Sequence, residues 1–343
     1  MSATETLLRT MNTLRPASLL ATILALVGLE AGAAEFVLPK DHDVIGEVQR
    51  ITARHEDTFV RLGRQYGVGY EELKLANPNV DAWLPGEGTE IVIPTRFVLP
   101  RARREGIVVN VAELRLYYFP KDEPDKVYTY PISIGRLDWS TPIGKTTVVG
   151  KVANPSWYPP ESIRKEHAER GDILPRVVPP GPDNPLGKHA LRLGLPGYLI
   201  HGTNKPSGVG MRVTHGCIRM FPEDIEALFT RVPVGTTVQI VNQPFKLGWN
   251  EEGALTLEVH PPLEEELEAG MWTLTDLTRE IVAVTEEGFT EIDWDEAENL
   301  LRNPLGVPFP VSRAVKRDGA ADEAETLEAA AHEPAAEPFH DDV

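Results

Sequence analysis

Hydrophobic and polar positions divide this chain into stretches of different period. Between Gly106 and Asn242 the apolar residues fall in short runs rich in β-branched and aromatic side chains. These runs are Ile107 to Val111, Leu114 to Phe119, Val127 to Ile134, Lys145 to Val149, Tyr198 to Ile200 and Val238 to Val241. Turn-forming residues separate them, so each predicts a strand. One helical signal stands out, Pro222 to Thr230, with proline in the first turn and Glu223 and Asp224 beside it. From Asn154 to Pro185 the periodicity stops and prolines accumulate. A stretch of that length inside a β scaffold predicts an ordered loop or lid.

The flanks have other patterns. Residues 43–95 predict strand, helix, helix, strand. Ile45 to Thr52 and Thr89 to Ile93 are the strands, and Pro94 closes the second. In TFVRLGRQY, Thr58 to Tyr66, the apolar Phe59 and Leu62 lie three apart, and Asp57 or Thr58 can cap the start. Gly67-Val68-Gly69 ends that helix; Tyr70 to Ala76 forms the next, stopped by Asn77-Pro78. Residues 243–312 mix strand signals, Leu255 to Val259 and Ile281 to Val284, with a helix over Asp295 to Arg302. The expected fold class is a mainly β domain with few helices over 106–242. A small α+β module precedes it and a small mixed α/β region follows, without internal repeats.

The two ends are different again. Ala17 to Leu29, ASLLATILALVGL, follows Arg9 and Arg15, and small residues at Ala31 to Ala34 offer a cleavage site. The run is too short to span a bilayer comfortably and has the layout of a secretory signal over 1–34. Net charge is −18 over 343 residues, which argues against nucleic acid, whose phosphates would be repelled. Lys316 to Val343 holds nine acidic residues against two basic ones. With few large apolar side chains, the 313–343 tail is expected to be disordered.

Export sharpens one feature. The chain has a single cysteine, Cys217. Cysteines in an oxidising compartment usually pair, and this one has no partner in its own chain. A thiol attacks a carbonyl as thiolate, so it needs a base nearby and donors for the developing oxyanion. His201, sixteen positions upstream at the end of an apolar run, is the preferred base. The carbonyl of Gly202 can fix its tautomer. Gly216 permits close backbone approach, so the N–H groups of Gly216 and Cys217 can face one oxygen. Arg219 can hold a carboxylate. His215, two residues before the cysteine, is either the base or, as preferred here, an orienting or substrate-contacting residue. A zinc site from His201, His215, Cys217 and His189 is the competing reading, but no Cys-x-x-Cys pair accompanies it. An inert packed cysteine fits poorly among glycine, histidine and arginine.

Two stretches carry family resemblances. His55-Glu56-Asp57-Thr58, Ala76-Asn77-Pro78-Asn79, Leu84-Pro85-Gly86 and Ile91 to Pro94 resemble a LysM module. Such modules bind N-acetylglucosamine-containing glycans such as peptidoglycan. Glu56 stands where the family commonly has glycine. His201-Gly202-Thr203-Asn204 followed by Arg212-Val213-Thr214-His215-Gly216-Cys217-Ile218-Arg219 resembles the signature of YkuD-type L,D-transpeptidases. Ser140 to Gly144, Asn154 to Trp157 and Val232 to Thr236 support it, as does Glu258 to Leu263 in the C-terminal region. The order of signal, LysM-like module, catalytic domain and C-terminal region is similar to periplasmic members from Gram-negative bacteria.

The resemblance implies a YkuD-like β sandwich without metal or cofactor. Cys217 would take an acyl group from the meso-diaminopimelate residue of a peptidoglycan tetrapeptide stem and release D-alanine. His201 would act as base and then acid, with Thr214, Asn204 and Arg219 contacting substrate. The acceptor amine would be a second diaminopimelate, giving 3–3 cross-links, or the C-terminal lysine of an outer-membrane lipoprotein. Water as acceptor would make it a carboxypeptidase, and carbapenems would acylate the same thiol. The alternative is a non-catalytic peptidoglycan-binding protein acting through the LysM-like module.

Overall fold

The computed structural model describes residues 34–268, 272–285 and 290–314. Residues 1–33 of the expected export segment and 315–343 of the expected tail lie outside these.

Nine strands form one sheet. Their spatial order is Ala34–Val37, Lys126–Pro131, Arg115–Phe119, Gly106–Asn110, Thr237–Val241, Gly144–Ala153, His189–Leu193, Leu199–His201 and Ile218–Arg219. The ten-residue strand Gly144–Ala153 turns the corner. Its first half pairs with Thr237–Val241, from Gly144 opposite Ile240 to Thr147 opposite Thr237. Its second half pairs with His189–Leu193, and the register slips between Val148 and Gly150. A bulge of this kind bends a strand and lets it change partners. The expected sandwich is therefore a single sheet curled on itself. Ile107, Val109, Leu116 and Tyr130 on one half meet Leu191, Leu193, Ile200 and Ile218 on the other in one buried cluster. The helix Pro222–Arg231 adds Ile225 and Leu228.

All five residues of Arg115–Phe119 are buried, which follows when both faces of a sheet are covered. Leu116 and Tyr118 face the central cluster. Tyr117 and Phe119 face Ile45, Phe97 and Leu99 from the N-terminal segment.

In that segment, Phe59–Tyr66 and Tyr70–Ala76 are helical. Thr58 caps the first, accepting from the Arg61 N–H at 3.2 Å. Gly67, at φ 64°, ends it. The Ile45 to Thr52 strand is split. Val44–Gly46 pairs with Arg96–Val98, and Gln49–Thr52 pairs with Glu90–Ile93. Gly46 breaks the run, because its φ is 74° and a Cβ there would sit 2.1 Å from the Thr95 carbonyl oxygen.

The C-terminal region has strands Phe245–Trp249, Leu255–Val259 and Phe309–Pro310, packed by the helices Leu274–Thr285 and Trp294–Arg302. The strand expected over Ile281 to Val284 is instead part of the first of these helices. Leu277 and Ile281, four apart, both enter the core, and helical spacing outweighs β-branched composition. The proline-rich stretch also contains a helix, Glu161–Glu169. It was illegible because Ile163 alone on it is buried.

Candidate active site

The last two strands of the sheet carry or adjoin the candidate residues. Leu199–His201 runs parallel to Ile218–Arg219, with Ile200 opposite Ile218 and His201 opposite Arg219. Cys217 lies in the bend immediately before that strand, two residues ahead of Arg219. His201, Cys217 and Arg219 all line one cavity of about 640 Å³, roofed by residues of the proline-rich stretch including Trp157, Ile163 and Leu174.

His201 is buried and its Nδ1 lies 2.6 Å from the Gly202 carbonyl oxygen. That contact puts the proton on Nδ1 and leaves Nε2 to accept one. Burial foremost, and then the Arg219 charge, push the imidazole pKa down to about 4, against the support of the Gly202 carbonyl. Cys217 is half-buried, with Sγ 3.6 Å from the Gly197 carbonyl oxygen. Burial raises its pKa, partly opposed by the Leu199 N–H and by Arg219. At neutral pH the resting pair is thus thiol and neutral imidazole.

The Arg219 guanidinium lines the cavity with its Nε buried and without a hydrogen-bond partner. Among the described residues it forms no ion pair, which leaves it free for an anionic group. Gly216 has φ 96°, and a Cβ there would come within 2.9 Å of Tyr198.

Three expected residues are held in particular ways. His215 faces the lid helix: its Nε2 lies 3.1 Å from Glu166 Oε2 and its ring meets Trp139 edge-on. Glu166 also binds Arg136 at 2.6 Å and Arg170 at 2.7 Å. Arg136 foremost pulls that carboxyl down to about 2. Thr214 lines the cavity, but its hydroxyl donates to the Cys217 carbonyl at 2.6 Å. Asn204, at the rim, donates to the Pro182 carbonyl at 3.1 Å and ties the proline-rich stretch down.

Sequence reasoning left Glu166, Arg136 and Trp139 unassigned. They come from a polar helix and a turn without periodicity, so no sequence signal pointed to them. Thr141 lay inside the quoted Ser140 to Gly144 run without a role. Its hydroxyl bonds the Gly216 carbonyl at 2.9 Å.

A different cluster, Glu113, Glu258 and His260, brings three metal-type donors within 4.8 Å of one another. Lys246 Nζ already sits there, 2.5 Å from Glu113 and 3.0 Å from Glu258. The ammonium takes the cation's place.

A curled sheet with this cysteine turn at its edge defines the class: residues 104–240 match the YkuD family, the L,D-transpeptidase catalytic domain. Relatives matched over most of their length agree. The chain is 40% identical over 300 residues to the probable L,D-transpeptidase YbiS of Escherichia coli K12, covering 85% of this chain and 97% of that one. It is 40% identical over 280 residues to the probable L,D-transpeptidase ErfK/SrfK of the same organism, covering 80% and 89%. The probable L,D-transpeptidase YcfS, also from E. coli, is 48% identical over 211 residues, 60% of this chain and 66% of that one. The chain belongs to the YkuD-type L,D-transpeptidase family.

Proposed function

We propose that the protein is a cysteine-dependent L,D-transpeptidase acting on peptidoglycan in the periplasm. The observation that carries this reading is Cys217 sharing one cavity with His201, whose Nδ1 proton is fixed by Gly202. In the first step Cys217 Sγ attacks the diaminopimelate carbonyl of a tetrapeptide stem as its proton passes to His201 Nε2. A C–S bond forms, the peptide C–N bond breaks, and His201 returns the proton to the departing D-alanine amine. In the second step His201 takes a proton from an acceptor amine, which attacks the thioester. An amide forms and the thiol is regenerated. A diaminopimelate amine gives a 3–3 cross-link; a lipoprotein C-terminal lysine gives an anchored envelope. Arg219 is the anchor for a donor carboxylate.

The N-terminal module is proposed to hold glycan strands. Its strand, helix, helix, strand order supports that reading. The charged and apolar first segment supports export.

Incubation with a carbapenem followed by mass spectrometry tests the chemistry. One adduct on Cys217 is expected, absent from Cys217→Ala. A folded protein without that adduct would overturn the reading. Muropeptide analysis of tetrapeptide-rich sacculi, with and without a lipoprotein C-terminal peptide, then identifies the acceptor.

A further inference from the structure

An oxyanion hole works only if its N–H groups are aimed before the reaction begins. The donor next to the nucleophile is the Cys217 N–H, which belongs to the Gly216–Cys217 peptide. In a planar trans peptide the C=O and N–H point in opposite directions. Whatever holds the Gly216 carbonyl therefore sets the direction of the Cys217 N–H.

Thr141 is what holds it. Its side chain is buried, and its hydroxyl donates to the Gly216 carbonyl oxygen at 2.9 Å. The Thr141 hydroxyl oxygen itself accepts the Gly135 N–H at 3.0 Å, which fixes the hydroxyl rotor so that its proton faces Gly216. The support behind it is tight. A Cβ on Gly135 would lie 1.8 Å from the Trp139 carbonyl oxygen and 3.0 Å from Gly216 Cα. The chain of contacts continues outward. Arg212 donates to the Gly135 carbonyl at 3.3 Å and pairs with Glu265 of the C-terminal region at 3.2 Å. On the other side of the nucleophile, Thr214 holds the Cys217 carbonyl. Both peptide carbonyls flanking the cysteine nitrogen and carbonyl carbon are thus tied by threonine hydroxyls. The Cys217 N–H itself has no acceptor among the described residues.

We propose that Thr141 is a positioning residue that aims the Cys217 N–H at the oxyanion of the donor carbonyl. The proposal rests on Cys217 being the nucleophile. Thr141 does not line the cavity; it acts through one peptide plane. A hydroxyl is required, and a methyl of the same size cannot replace it.

The test compares Thr141→Val with Thr141→Ser. Two reactions of Cys217 are followed in each, acylation by a carbapenem and alkylation by iodoacetamide. Only the first builds an oxyanion. For Thr141→Val acylation is expected to slow roughly 10- to 100-fold, alkylation to stay within about twofold, and Thr141→Ser to recover most of the acylation rate. Unchanged acylation in Thr141→Val, an equal fall in both reactions, or a serine variant as slow as the valine one overturns the proposal. If Thr141→Val loses cooperative thermal unfolding, Thr141→Ala takes its place under the same criteria. Loss of folding there as well assigns Thr141 a purely structural role and also overturns it. Absence of acylation in the parent chain overturns the nucleophile reading and this proposal together, whereas a parent that acylates isolates the threonine question.

Discussion

In the proposed mechanism the Cys217 and His201 pair starts from neutral partners. His201 titrates near pH 4 because its ring is buried beside Arg219, and Cys217 is held above its ordinary value by burial. The basic form of His201 is the neutral one, present above its pKa and lost as pH falls through it. Carbapenem acylation should therefore hold steady down to about pH 5 and decline about tenfold per unit below pH 4. Alkylation by iodoacetamide needs free thiolate and should rise with pH through the alkaline range instead. Stopped-flow rates across a pH series check both limbs, and an acylation midpoint near the ordinary histidine value contradicts this assignment. Arg219 has a buried Nε without a partner. Arg219→Ala should raise KM for a tetrapeptide donor about tenfold or more while leaving cooperative unfolding intact. Steady-state kinetics beside a thermal melt separates these; loss of the melt would make Arg219 structural.

Single elements position these residues, and the lid helix Glu161–Glu169 shows how. One carboxylate, Glu166, joins it to Arg136 on a turn and to His215 on the catalytic segment. Glu166→Ala removes both ties. The expected result is faster amide exchange over 154–185 and a rise in KM larger than any fall in kcat. Hydrogen exchange and kinetics on the same preparation check it, and unchanged exchange would show that Ile163 packing and the Asn204 tie hold the lid without Glu166. His215 was legible as a histidine beside the nucleophile, but its direction was not. That direction depends on Glu166, 49 positions upstream in sequence, on a helix whose polar surface carries no periodic signal. The helix Leu274–Thr285 was misread as strand for a related reason: Ile281, Val282 and Val284 favour strand by composition, and the spacing of Leu277 and Ile281 prevails once a sheet lies beneath.

At the scale of the whole molecule, buried charges stitch the three regions together. Glu72 of the N-terminal module makes a bidentate pair with fully buried Arg115 of the curled sheet, at 2.8 and 3.0 Å. Lys246 of the C-terminal region lies between Glu258 and Glu113, which sits in the turn joining Gly106–Asn110 to Arg115–Phe119. Desolvation raises the Glu113 pKa, while Lys246 and His260 hold that of Glu258 down. Removing the shared ammonium leaves two carboxylates close together in a dry site. Lys246→Met should cost about 3–5 kcal/mol, read as a lower urea midpoint. A neutral effect would mean the carboxylates take up a proton and repack without loss.

The sequence by itself determined which chemistry is available. Its β-rich runs marked most of the sheet, though not the strands Ala34–Val37, His189–Leu193 and Ile218–Arg219, and its Cys217, His201 and glycine spacing marked a candidate thiol with a histidine at a strand end, because these are local properties of composition and order. Tertiary structure alone decided how those groups are held. The curl brings Leu199–His201 beside Ile218–Arg219. It also lets Thr141 reach the Gly216 carbonyl across 75 residues, and Glu166 reach His215. Such contacts join segments distant in sequence through single hydrogen bonds, and nothing in the local pattern of either segment encodes the other.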